Sequence, residues 1–151
     1  MAKRGNQRVK LNRPVRRWRY RVKTERAAIG RFADRMDEDL DTAGIDESVR
    51  QSLATVLDEL LANVVMHAQA VRGPVHVRLR CSNDELIARL RYCAVAFDPT
   101  VIAATHLPTT VASANIGGVG IAMVRAMTRE FSHQYRRGEN HLRVRLPLKT
   151  S

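Results

Sequence analysis

Two pairs of alternating segments, each closed by a short polar turn, constrain this chain more than any other feature it has. The first pair is "GPVHVRLRC" and "ELIARLRY" around "SND"; the second is "EFSHQYRR" and "HLRVRLPL" around "GEN". Apolar and polar residues broadly alternate in both, which is the period of a strand with one buried face. Strands joined by turns this short must pair antiparallel. A further segment near the start, "PVRRWRYRV", alternates as well. It sets Trp18, Tyr20 and Val22 on one face and Arg17, Arg19 and Arg21 on the other. Such charges suit an edge strand, where they discourage strand-to-strand aggregation.

Between these strands the apolar period changes to that of helices. Thr24 is placed to cap a helix running to about Leu40, with Ile29, Phe32, Ala33, Met36 and Leu40 as its apolar stripe. "DTAGID" breaks it. Asp46 then opens a longer helix through Ala68, whose predicted buried line is Leu53, Val56, Leu57, Leu60, Leu61, Val64 and Val65. From Phe97 to Asn115 the chain reads as loop, and "IGGVG" leads into an apolar helix, "IAMVRAMT". The order is strand, helix, helix, two strands, loop, glycine turn, helix, two strands, without internal repeats. It predicts an α/β two-layer sandwich: a mixed, mostly antiparallel sheet covered on one face by helices.

At 151 residues the chain is most simply one folded domain, over 14–151, behind a basic disordered tail, 1–13. The net charge of +11 is unevenly placed. Residues 1–23 hold ten Lys or Arg and no acid, leaving 16 basic against 15 acidic residues in the remainder. That basic arm is read three ways: a solvated tail, a dock for an acidic partner, or a nucleic-acid contact through phosphates. No run approaches the roughly 18 apolar residues of a membrane span, so no membrane partner is expected. No apolar stretch follows the first charges, as a secretory signal would require. Cys81 and Cys93 show no metal-ligand spacing and read as reduced, half-buried thiols, which fits a cytoplasmic location. His76, His106, His133 and His141 are scattered without ligand spacing.

Two stretches carry candidate chemistry. In "DELLANVVMHA" the residues Glu59, Asn63 and His67 recur at four-residue intervals and share a helix face. An amide oxygen at Asn63 suits Mg²⁺, and a carboxylate one turn earlier suits a general base. Taken alone, the stripe reads first as the solvated edge of an amphipathic helix. In "NIGGVGIAMV", Gly117, Gly118 and Gly120 permit close backbone approach just before a helix N-terminus, a plausible phosphate cradle. Taken alone, that too is most often only a turn.

In this order and about fifty residues apart, the two stretches resemble a known family. "LATVLDELLANVVMHA" is similar to the asparagine-containing box of the GHKL ATPase fold shared by histidine kinases and gyrase. "FDPT", the long loop, "IGGVGIAMVRAMT" and the closing "GENHLRVRLPL" resemble the short-lid branch, the anti-sigma-factor serine/threonine kinases. The resemblance spans roughly residues 15 to 148. It implies ATP and Mg²⁺ as cofactors, Glu59 as catalytic base and Asn63 as the Mg²⁺ ligand. It adds His67 to the nucleotide site and gives Gly117, Gly118 and Gly120 the phosphates, with residues 100–116 as a lid. The implied partners are a sigma factor and a STAS-domain antagonist, and a homodimer is common in the family.

One motif departs from this pattern. Before "FDP" the branch has an Asp that accepts from the adenine amino group and, two residues later, a Gly that lets the base approach. This chain reads "YCAVAFDP", with Tyr92 at the first position and Ala94 at the second. A phenol is bulkier than a carboxylate and prefers to donate. Three readings follow: weak or altered ATP binding by a kinase, another nucleotide, or a pseudokinase that keeps the fold to hold a protein.

Overall fold

The computed structural model describes residues 14–102 and 119–148. Its elements are β1 (Arg16–Val22), α1 (Arg26–Thr42), α2 (Glu47–His67), β2 (Arg72–Cys81), β3 (Glu85–Cys93), a 3-10 turn (Pro99–Val101), α3 (Val119–Met127), β4 (Glu130–Arg136) and β5 (Glu139–Pro147). The strands form one sheet in the order β1-β2-β3-β5-β4. Every ladder among the described residues is antiparallel. The expected α/β two-layer sandwich is therefore present, with a wholly antiparallel sheet. The tail at 1–13, Gly117, Gly118 and all but the first residues of the expected lid lie outside the described residues.

Strand alternation decides which face is covered. Val75, Val77 and Leu79 of β2, Leu86 and Leu90 of β3, and Leu142, Val144 and Leu146 of β5 are all buried on one side of the sheet. Against them pack Leu53, Leu57, Leu60, Leu61 and Val64 of α2, Phe32, Met36 and Leu40 of α1, and Ile121 and Val124 of α3. Each such side chain contributes about 1.5–3 kcal/mol by leaving water, so this interlayer core is what holds the site's helices to the sheet. Neither Cys81 nor Cys93 takes part in a disulfide among the described residues. No helix among the described residues is long and apolar enough to cross a membrane.

Four local expectations change. The cap of α1 falls on Glu25, not Thr24, and no side chain makes a capping bond there. Ala28 joins Phe32, Met36 and Leu40 on the buried stripe of α1, while Ile29 and Ala33 are only partly covered. Val65, expected in the buried line of α2, is 48% exposed, because the helix turns it past the line that ends at Val64. The break after α1 has a clear backbone cause. Gly44 adopts φ 72°, its N–H donates to the Asp41 carbonyl at 2.8 Å, and the Ile45 N–H donates to the Leu40 carbonyl at 3.0 Å. This is a Schellman closure with Ile45 and Leu40 as its buried apolar pair. The β4–β5 turn is also shorter than "GEN" suggested. Arg137 and Gly138 both take positive φ, as a two-residue primed turn requires, so Glu139 and Asn140 belong to β5. The shift places Asn140 on the inner face of the sheet.

Candidate functional site

The second half of α2 carries Glu59 and Asn63 at half-buried positions, with exposed His67 one further turn along. Leu60, Leu61 and Val64 bury the opposite flank and fix the rotation of the helix. The Asn63 amide nitrogen donates to the Glu59 carbonyl one turn back at 2.8 Å. That orientation commits the NH₂ end to the helix and leaves the carbonyl oxygen as the acceptor available to a hard cation.

Gly120 lies in the first turn of α3, facing α2. A Cβ built on it would meet Oε2 of Glu59, with the carboxylate carbon only 2.7 Å away. Glycine is the residue that lets Glu59 take this position. Burial, and then the neighbouring Asp58 charge, push the Glu59 carboxyl above its ordinary value. A weaker acid is a stronger conjugate base, which is the direction a proton acceptor at a hydroxyl needs. Gly120→Ala is therefore expected to act on Glu59 rather than on the fold. Alanine favours a helix by up to about 1 kcal/mol over glycine, so thermal stability should hold or rise. The added methyl drives the flexible carboxylate outward into water. Its carboxyl titration, followed by carbon-13 NMR, should fall back toward the ordinary glutamate range. An unmoved titration would show that Gly120 does not set the position of Glu59.

The other end of the site is differently built. Tyr92 is 1% exposed, its ring lies in the interlayer core, and its hydroxyl has no hydrogen-bond partner. Burial pushes that phenol up to about 12, so it remains a neutral donor. Ala94, at the motif's glycine position, is buried as well. The segment after it is held by the protein itself. Tyr135 donates to the Ala94 carbonyl at 3.2 Å, and the Asn140 amide donates to the Val95 carbonyl at 3.0 Å. The Asn140 oxygen accepts from the Phe97 N–H at 2.9 Å and lies 2.8 Å from Nε2 of His133. On its other side, His133 Nδ1 is 3.6 Å from Asp98. Asp98 in turn accepts from the Thr100 N–H at 2.9 Å and the Thr100 hydroxyl at 2.6 Å. Burial works against the Asp98 carboxylate, but the Thr100 bonds and the nearby His133 outweigh it and hold the carboxyl below its ordinary value.

His67 stacks on Phe97, ring centroids 6.0 Å apart, which joins the end of α2 to the same segment. The Arg125 guanidinium donates to the Thr100 carbonyl and ties α3 to the 3-10 turn. Glu59, Asn63 and Gly120 are thus brought together, while His67 sits farther out, on Phe97. Asn140, His133, Tyr135 and Asp98 form a supporting network that the spacing of motifs did not reveal. One signal was present. On strands this apolar, a polar residue at a core-facing position must be hydrogen-bonded to be tolerated.

A family model for the histidine kinase-like ATPase domain matches residues 22–146. The chain belongs to that family. Over 96 residues it is 32% identical to the serine/threonine-protein kinase BtrW of Bordetella bronchiseptica, covering 62% of this chain and 68% of that protein. A solved structure of RsbU and RsbW domains from Mycobacterium tuberculosis superposes with a TM-score of 0.60 at 16% identity. That match covers 89% of this chain and 33% of the longer one, and it shows likeness of fold.

For the nucleotide that such a fold implies, the residues present fit at one end and not at the other. The Asn63 oxygen suits Mg²⁺, and Gly120 makes room for the Glu59 carboxylate beside it. At the position where the family resemblance implies an acceptor for adenine, this chain has the buried Tyr92 phenol, whose hydroxyl has no hydrogen-bond partner among the described residues.

Proposed function

We propose that this protein is an anti-sigma-type regulator, acting in the cytoplasm, that captures a sigma factor or its STAS-domain antagonist, with adenine recognition weakened. The observation that carries this reading is Tyr92: a donor with no partner, set in the core where the base's hydrogen-bond acceptor is expected. A protein-binding role is supported by the rim of the site. Met66 (71% exposed) at the end of α2 and Val95 and Val101 beside Phe97 present apolar side chains to solvent. The Val95 N–H donates to the Gln69 carbonyl at 2.9 Å, so the end of α2 and this segment meet. Exposed apolar side chains gathered at the rim of a site are a common mark of a protein contact surface.

A second reading, an active serine protein kinase, is favoured by Glu59 and Gly120. Bound Mg-ATP would supply the transferable phosphoryl group. Asn63 would hold the metal through its amide oxygen, and Glu59 would take the proton of a partner's serine hydroxyl at its carboxylate. The kinase relative in Bordetella bronchiseptica supports this form.

Calorimetric titration of Mg-ATP into the protein, with Asn63→Ala beside it, separates the two. Loss of one buried hydrogen bond costs about 1–3 kcal/mol, so binding should be roughly ten- to a hundredfold weaker than with the Asp-x-Gly motif intact. Whatever heat remains should vanish with Asn63→Ala. Micromolar affinity in the unaltered chain, with phosphate transferred to a STAS-domain protein and lost in Glu59→Gln, would establish the kinase reading instead.

A further inference from the structure

The outer face of the sheet, which no helix covers among the described residues, carries rows of arginine that neither the nucleotide site nor the core uses. Register places Arg19 opposite Arg78, Arg78 opposite Arg89, and Arg89 opposite Arg143. Arg17 faces Arg80 in the adjoining row. With strands about 4.8 Å apart, the first row spans roughly 14 Å. Of the acids on this face, Glu130 and Glu139 lie on β4 and β5, and Glu85 lies at the start of β3, bonded to Arg145 of β5. Glu130 pairs with Arg143 and Glu139 with Arg91. On the β1–β2–β3 half, Arg17, Arg19, Arg21, Arg78, Arg80 and Arg89 have no ion pair among the described residues. The field is felt at His76, whose imidazole burial holds below its ordinary value and Arg91 and Arg21 lower further.

Like charges directly opposite each other destabilise a sheet, so the rows need a reason. Edge protection explains Arg17, Arg19 and Arg21 on β1. It does not explain Arg78, Arg80 or Arg89, because β2 and β3 are interior strands with both edges paired.

We infer that this face binds the phosphate backbone of a nucleic-acid duplex. Guanidinium groups pair bidentately with phosphate, and a rigid sheet presents them as a fixed, flat array. Protein interfaces centre on apolar and aromatic side chains, and the only large apolar side chain exposed on or beside this half-face among the described residues is Val15, just before β1; Ile87, the apolar residue between Arg80 and Arg145, is 3% exposed. The same scarcity disfavours insertion into a lipid surface. Trp18 and Tyr20 point to the opposite face, where Tyr20 packs edge-on to Phe32, so no stacking platform for single-stranded bases is offered. A second copy of the chain would bring the same sign of charge, which directs any homodimer to another surface. Binding of this kind is independent of base sequence and steeply salt-dependent.

The test is fluorescence anisotropy of the full chain with a 20-base-pair DNA duplex across a salt series. It compares the unaltered protein, the triple variant Arg19→Gln/Arg78→Gln/Arg89→Gln, and a variant with Lys3, Arg4, Arg8, Lys10 and Arg13 changed to Gln. The face variant should bind at least about tenfold more weakly, and its slope of log affinity against log salt should shrink by about 2 to 3. It should melt no lower than the unaltered chain, since like-charge pairs are removed. The corresponding Arg→Lys triple variant should keep most of the salt slope. The inference is overturned if the face variant binds as the unaltered chain does while the arm variant loses all binding. It is equally overturned if the duplex fails to bind while a polyglutamate peptide or an anionic vesicle does.

Discussion

Asn140→Ala should lower the stability of the protein by about 3–5 kcal/mol. The residue is fully buried, and its amide joins three groups from two parts of the chain: the Phe97 N–H, the Val95 carbonyl and His133. Truncation removes these bonds and leaves three partly buried partners without them, at about 1–3 kcal/mol for each group left unsatisfied where water does not reach. The partial sum exceeds what a typical single bond contributes, because the penalty lies in the orphans. Against a total stability of about 5–15 kcal/mol for a domain, the loss is large. Urea unfolding should show the midpoint falling with the slope unchanged. Amide exchange at Phe97 should accelerate beyond the global change, because the segment that carries the rim of the site loses its anchor. A loss under about 1 kcal/mol would mean that Asn140 does not hold Val95–Phe97 in place.

That network shows where sequence reading reached and where it stopped. Strand alternation and the helical periods decided the layers, since each depends on residues a few positions apart. Trp18, Tyr20 and Val22 face the core and Arg17, Arg19 and Arg21 face out, as period two requires. Glu59 and Asn63 were legible for the same reason: they lie on one helix face. Their meeting with Gly120 rests on α3 packing against α2, which spacing alone could not supply. Asn140 was hidden by a smaller error. Reading "GEN" as the turn put it in a loop, whereas positive φ at Arg137 and Gly138 places it in β5, facing inward. The arginine rows were half visible. Alternation shows each strand's charged side, but only the register β1-β2-β3-β5 shows that those sides coincide and that arginine stands opposite arginine. Val65 fails in the opposite sense, since an apolar residue at the end of a helix can lie beyond the sheet it is expected to cover.

The double variant Tyr92→Asp/Ala94→Gly should give a protein that is much less stable alone and is rescued by Mg-ATP. Removing a large ring from a site 1% exposed to solvent costs about 3–5 kcal/mol in lost packing and cavity. A carboxylate placed there without a partner adds a desolvation penalty unless water or a ligand enters. Adenine would fill the volume that the phenol vacates and donate to the new acceptor, so binding is coupled to recovery of the core. Ligand present at a hundred times its dissociation constant adds about 2.7 kcal/mol to stability. The melting temperature of the variant should therefore climb steeply with Mg-ATP, while that of the unaltered chain barely moves. Adding Asn63→Ala to the variant should abolish the rise, because the metal and phosphate end would then be lost. If the unaltered chain responds to Mg-ATP as strongly as the variant, Tyr92 tolerates the base and the weakened-nucleotide reading fails. If the variant melts low and stays low, more than the base acceptor has been lost from the site, and the protein acts through its surface alone.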